Sequence, residues 1–148
     1  MKLSEHFTLA EFEFSQTAIR HGIDNRLPPE LYDNARRICA LLEEARAVLQ
    51  KPIHITSGYR CPDLNVRIGG AGKSAHMEAL AADFVAPAFG TPLEITEILA
   101  SVLKDFDQLI YEGTWVHIGL MNGPHQRREV LTAKFDRGRA RYLPGIVA

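Results

Sequence analysis

One acidic residue constrains this chain more than any other. Asp83 lies in Ala79-Leu80-Ala81-Ala82-Asp83-Phe84-Val85, a run that is otherwise apolar and reads as a buried strand. A carboxylate carried into a core is expensive unless it is paired or binds a metal. The chain must therefore bring partners to Asp83 from elsewhere.

The elements around that strand are read from caps and periodicity. Thr8-Leu9-Ala10-Glu11 has capping-box spacing and predicts a short helix. A second short helix is expected from near Ser15 to Gly22. After Pro28-Pro29-Glu30, Leu31, Ala35, Ile38, Leu42, Ala45 and Leu49 form one apolar stripe, and Lys51-Pro52 ends that helix. Ile53–Thr56 reads as a strand. Ser57–Lys73, with Gly58, Pro62, Gly69, Gly70 and Gly72, reads as a long loop of the kind that carries function. Thr91-Pro92-Leu93-Glu94 opens a helix to about Lys104. Gln108–Tyr111, Trp115–Leu120 and Val130–Phe135 read as strands, some joined by hairpin turns. Helices come first and a mainly antiparallel sheet follows, so the class is α+β. A length of 148 residues predicts one domain spanning 1–148.

Two histidines are placed to serve Asp83. His76 stands at the edge of the glycine-rich segment, and His117 lies in Trp115-Val116-His117-Ile118-Gly119, sharing a strand face with Trp115 and Gly119. Two imidazoles and one carboxylate suit a catalytic zinc site, which keeps its fourth position open for water. The competing reading is that these histidines bind nothing. His6, His21, His54 and His125 read as structural or surface residues, with His54 the rival ligand, packed within its strand.

Composition removes other classes. A formal net charge of −1 argues against a general nucleic-acid binder. Two cysteines are no disulfide framework; Cys39 falls on the apolar helical face and Cys61 in the loop, and the sequence leaves their pairing open. The N-terminus has no apolar signal core, and no run reaches the ~18–20 apolar residues of a membrane span. Synthesis in the cytoplasm without a signal peptide is expected. Arg127, Arg128, Lys134, Arg137, Arg139 and Arg141 make the last quarter basic, read either as attraction to anionic wall polymers or as a solvated hairpin and tail.

Ser57-Gly58-Tyr59-Arg60, Asn65, Gly69-Gly70, Ser74-x-His76, Ala81-x-Asp83 and Trp115-Val116-His117 follow one another in order. The set resembles the zinc D-Ala-D-Ala carboxypeptidase family of cell-wall carboxypeptidases, dipeptidases and phage L-alanyl-D-glutamate endopeptidases. It looks most like the short phage and prophage endolysins of that family, over roughly Pro52 to Leu120. The resemblance implies a Hedgehog/DD-peptidase-like α+β fold, with helices packed on a mainly antiparallel sheet that lines a zinc cleft. It implies His76, Asp83 and His117 as zinc ligands, Arg60 facing the substrate, and Ser74 helping to bind and orient it. The expected reaction is hydrolysis of a peptide bond in peptidoglycan stem peptides, reached through phage lysis or virion delivery. The alternatives are a non-catalytic cell-wall or protein-binding module, or a phage tail component, that retains the fold and metal.

Two positions depart from the family pattern. Ala79 stands where a glycine is usual, and its methyl is expected to crowd the strand start or demand negative φ. Thr114 stands where many members place a glutamate, three residues before the last histidine. Glu112 occupies the acid–base position of another branch. In an unbroken strand Glu112 and His117 would face opposite ways, and Gly113 offers the turn that realigns them. Glu112 is otherwise a polar hairpin residue, and Glu78 is the alternative base. Tyr111 and Trp115 flank the site, as groove lining or as core.

Overall fold

The computed structural model describes residues 1–148. Five helices and six strands follow one another: α1 Leu9–Glu13, α2 Gln16–Arg20, α3 Tyr32–Leu49, β1 His54–Ser57, α4 Pro62–Arg67, β2 Ala81–Val85, α5 Pro92–Val102, β3 Gln108–Tyr111, β4 Val116–Gly119, β5 Glu129–Asp136 and β6 Arg139–Pro144. Short 3-10 turns cover Pro29–Leu31 and Ala75–Glu78.

The caps act where their chemistry places them. Thr8 and Thr91 each accept from the backbone N–H three residues on, and the reciprocal glutamates, Glu11 and Glu94, close both capping boxes. Ser15 caps α2. The stripe on α3 buries Ala35, Ile38, Leu42, Ala45 and Leu49, and Cys39 lies within it. These residues meet Phe84, Ile95, Leu99, Phe106, Leu109, Val116 and Ile118 in one core. Each fully buried Leu, Ile or Phe there contributes roughly 1.5–3 kcal/mol.

The sheet runs β1-β2-β4-β3-β5-β6. Every pair is antiparallel except β3 with β5. The α+β class and the mainly antiparallel sheet agree with the sequence reading, and two elements correct it. Pro62–Arg67, inside the expected loop, is helix α4. Arg139–Pro144, read from the sequence only as part of a basic patch or of a solvated hairpin and tail, is the edge strand β6. No helix is long and apolar enough to cross a membrane.

The basic final quarter divides by side-chain geometry. Arg127 forks onto Asp107, with Nε donating to Oδ1 at 2.9 Å and Nη2 to Oδ2 at 2.8 Å. Arg128 Nη2 donates to the Ala100 and Leu103 carbonyls, and its guanidinium sits 5.1 Å from the Phe106 ring centre. Both fasten the chain before β5 to the body of the fold. Lys134, Arg139 and Arg141 occupy one face of the β5–β6 hairpin, Lys134 directly opposite Arg141.

Candidate metal centre

Neighbouring strands bring the site together. In the β2–β4 pair Asp83 lies opposite His117, and in the β1–β2 pair Ser57 lies opposite Asp83. His76 arrives on the 3-10 turn that leads into β2. Its ligand atom, that of Asp83 and that of His117 all lie within 4.8 Å of one another. Asp83 Oδ1 is 2.9 Å from His117 Nδ1 and 3.3 Å from His76 Nε2.

His76 shows why this arrangement could hold a metal. The ring is 2% exposed, and Nδ1 is 2.7 Å from the Gly58 carbonyl oxygen. A carbonyl only accepts, so Nδ1 carries the proton and donates it. Burial lowers the pKa of the ring, although the Asp83 carboxylate works against that, so the ring is held neutral. Its Nε2 is then a bare lone pair, and that buried atom has no hydrogen-bond partner. A metal ion fits such an atom, and a histidine anchored through its other nitrogen to a carbonyl is the usual orientation of a metal ligand. Two nitrogens and one oxygen this close together could hold zinc, whose tetrahedral ligands at about 2.0–2.1 Å stand about 3.3 Å apart.

The backbone behind His76 is shaped for this. A Cβ on Gly58 would lie 2.3 Å from the Phe12 carbonyl oxygen, so only glycine lets α1 close over the residue after β1 whose carbonyl holds His76. Ala79 corrects the expectation of negative φ. It ends the histidine-bearing turn in the left-handed region at φ +58 and is fully buried. That conformation costs an L-residue roughly 1–2 kcal/mol, and the packed surroundings hold it.

The three residues open onto a cleft of about 790 Å³, which Arg60, Ser74, Glu78, Glu112, Trp115 and Tyr142 also line. Arg60 Nη2 is 3.6 Å from Asp83 Oδ2, and Nη1 is 3.4 Å from Asn65 Oδ1. Its Nε is buried without a partner. Asn65 is itself buried and donates through Nδ2 to the Ala71 carbonyl at 2.8 Å. Ser74 caps the 3-10 turn, its Oγ accepting from the His76 N–H at 3.2 Å, so it helps to place His76 as well as lining the cleft.

Glu112 reaches the site because the chain reverses there. Gly113 adopts φ +82 and the Glu112 N–H donates to the Trp115 carbonyl, which closes the β3–β4 hairpin. Ile110 stands opposite His117, so Glu112 and Trp115 fall on the His117 face. The Trp115 indole Nε1 donates to Glu112 Oε2 at 2.9 Å. Burial first, and the Asp83 charge second, raise the Glu112 pKa, against the pull of His117, Trp115 and Arg60. Glu78 lines the same cleft from an exposed position. Thr114 is exposed at the turn. Tyr111 pairs with Val116 on the opposite face and leaves the groove to Trp115.

The remaining histidines lie apart. His6 Nδ1 is 2.7 Å from Glu43 Oε1, and His21 and His125 are exposed. His54 is exposed at the far end of β1, opposite Val85, rather than packed within its strand. Both cysteines are free, and burial pushes the Cys39 thiol up to about 12. The sequence reading missed Tyr142, because β6 itself was not recognised there.

Compared with known proteins, residues 5–119 match the model of the family described as Peptidase M15. No curated protein matches the chain.

Proposed function

The chain belongs to the peptidase M15 family, and on that premise we propose that it is a zinc-dependent peptidase that cleaves a peptide bond in peptidoglycan stem peptides. M15 metallopeptidases use zinc, and His76, Asp83 and His117 form a group that could hold it. The reading is carried by one observation: a half-buried carboxyl group, Glu112, shares the cleft with three converging ligand atoms, one of which is an orphaned imidazole nitrogen.

When bound, zinc supplies Lewis acidity and makes hydroxide available near neutral pH by lowering the pKa of water to about 7. Glu112 accepts the proton of the attacking water and returns it to the leaving amine; its raised pKa suits both transfers. The Trp115 indole holds that carboxylate in place from the side. Arg60 offers donors to a peptide carbonyl or carboxylate oxygen, braced by Asn65 behind it. Ser74 and Trp115 line the path of the peptide.

Purified muropeptides digested with zinc-loaded protein test the reading, with products weighed by mass spectrometry. A released D-alanine, a released dipeptide and an internal cut differ in mass and assign the bond. His117→Ala is expected to lose zinc and activity together. Glu112→Gln is expected to keep zinc and lose at least a hundredfold in kcat, within the range of about 10²–10⁴ supplied by a positioned acid–base group. Full turnover by that variant would remove Glu112 from the mechanism and return attention to Glu78. Intact muropeptides with firmly bound zinc would favour the binding module instead.

A further inference from the structure

The family match ends at residue 119, yet the sheet continues through β5 and β6, and their hairpin forms part of the cleft wall. Strand alternation decides which side chains it presents. Ala133 is opposite Tyr142 and Phe135 opposite Ala140, so these four share one face. Phe135, Ala140 and Tyr142 line the cleft. Phe135 meets Trp115 at 6.0 Å between ring centres, and Trp115 in turn holds Glu112. Phe135 is 54% exposed and Tyr142 52%. Two half-exposed aromatic rings on the wall of a cleft leave apolar area for a ligand to cover.

Tyr142 adds a polar group to that wall. Burial raises its pKa first, and the Glu112 and Asp83 carboxylates add to this while Arg60 opposes it. The side chain therefore stands on the cleft wall within the field of the site's own charged groups. The small residues Ala133 and Ala140 around it leave the ring room.

We propose that Tyr142 is a substrate-contacting residue of this cleft, its hydroxyl donating a hydrogen bond to a carbonyl or carboxylate oxygen of the bound peptide while Phe135 and Trp115 carry the apolar part of the chain. This rests on the peptidase reading. It extends the site into a segment that the family match does not reach. Such a contact acts on bound substrate before and during reaction alike, so it affects KM more than kcat.

The test compares Tyr142→Phe with wild type, both zinc-loaded, on purified muropeptide. The variant keeps the ring and loses only the hydroxyl. KM is expected to rise about tenfold at nearly constant kcat, with zinc content and Tm unchanged. A second measurement does not need turnover. Trp115 is the only tryptophan, so its fluorescence reports muropeptide binding in the Glu112→Gln background. There, adding Tyr142→Phe is expected to weaken binding by the same factor. Equal KM and equal binding, with wild type active, would overturn this proposal alone. A wild-type protein that neither cleaves nor binds muropeptide would overturn both this proposal and the peptidase reading.

Discussion

Asn65 and Gly70 illustrate how closely single atoms are matched around the cleft. The Asn65 amide is buried, facing Arg60 through oxygen and the Ala71 carbonyl through nitrogen. A Cβ on Gly70 would lie 2.1 Å from Asn65 Oδ1 and 3.1 Å from Arg60 Nη1. Gly70→Ala must therefore push the amide aside and release the guanidinium. Its kcat/KM is expected to fall by about tenfold or more with zinc content unchanged. Asn65→Ala strands the Ala71 carbonyl and an Arg60 donor, each at a cost of about 1–3 kcal/mol if left unsatisfied. The two changes share one volume, so their effects are expected to be less than additive in the double variant. Strict additivity in stability and in kcat/KM would show that the two residues act separately. The grouping of His76, Asp83 and His117 was legible at this scale because an aspartate in an apolar run has few physical excuses. The Asn65–Arg60 contact was not, since nothing in a sequence tells which loop residues meet.

At the scale of elements, local signals were readable and long-range pairing was not. Both capping boxes and the α3 stripe follow from neighbours three or four residues apart. Helix α4 escaped because it spans six residues among glycines, although Pro62 at its first position is the expected opening. Strand β6 escaped because it is an exposed edge whose Arg-Ala-Arg-Tyr pattern has no buried face to announce it. The parallel joining of β3 to β5 depends on the chain between them. That chain is fixed by Asp107 and Arg127, and the pair makes the joint sensitive to acid. Hydrogen bonds from the Arg127 side chain hold the Asp107 pKa below its ordinary value. A depressed carboxylate stabilises the fold above the unfolded pKa of about 3.9 and loses that contribution as pH falls through the folded value. Urea midpoints measured from pH 6 down to pH 2 are expected to drop through this window. Asp107→Asn is expected to start lower and to show a shallower fall; an equally steep fall would assign the acid sensitivity elsewhere.

Across the whole molecule, a metal held by these three residues would tie the turn before β2 to the paired strands β2 and β4. His76 comes from the turn after the glycine-rich segment, Asp83 from the inner strand β2 and His117 from β4. Gly58 on the far side of His76 is in turn packed against α1. An ion gripped by all three residues binds the folded chain and not the unfolded one, so it stabilises the entire fold by mass action. At a hundredfold excess over its Kd this amounts to about 2.7 kcal/mol. For a chain of this length that is a rise on the order of 5–10 °C in Tm. Circular dichroism melts with chelator and with added zinc are expected to differ by that amount. The same pair of melts on His117→Ala should nearly coincide, because two remaining ligands grip weakly. Gly58→Ala tests the link to α1. Its Cβ cannot fit beside Phe12 without moving the backbone that anchors His76, so it is expected to lower the melt in chelator and to shrink the zinc-induced rise as well. A variant that lost stability in chelator yet kept the full rise would show that the anchoring carbonyl is not needed to set the imidazole.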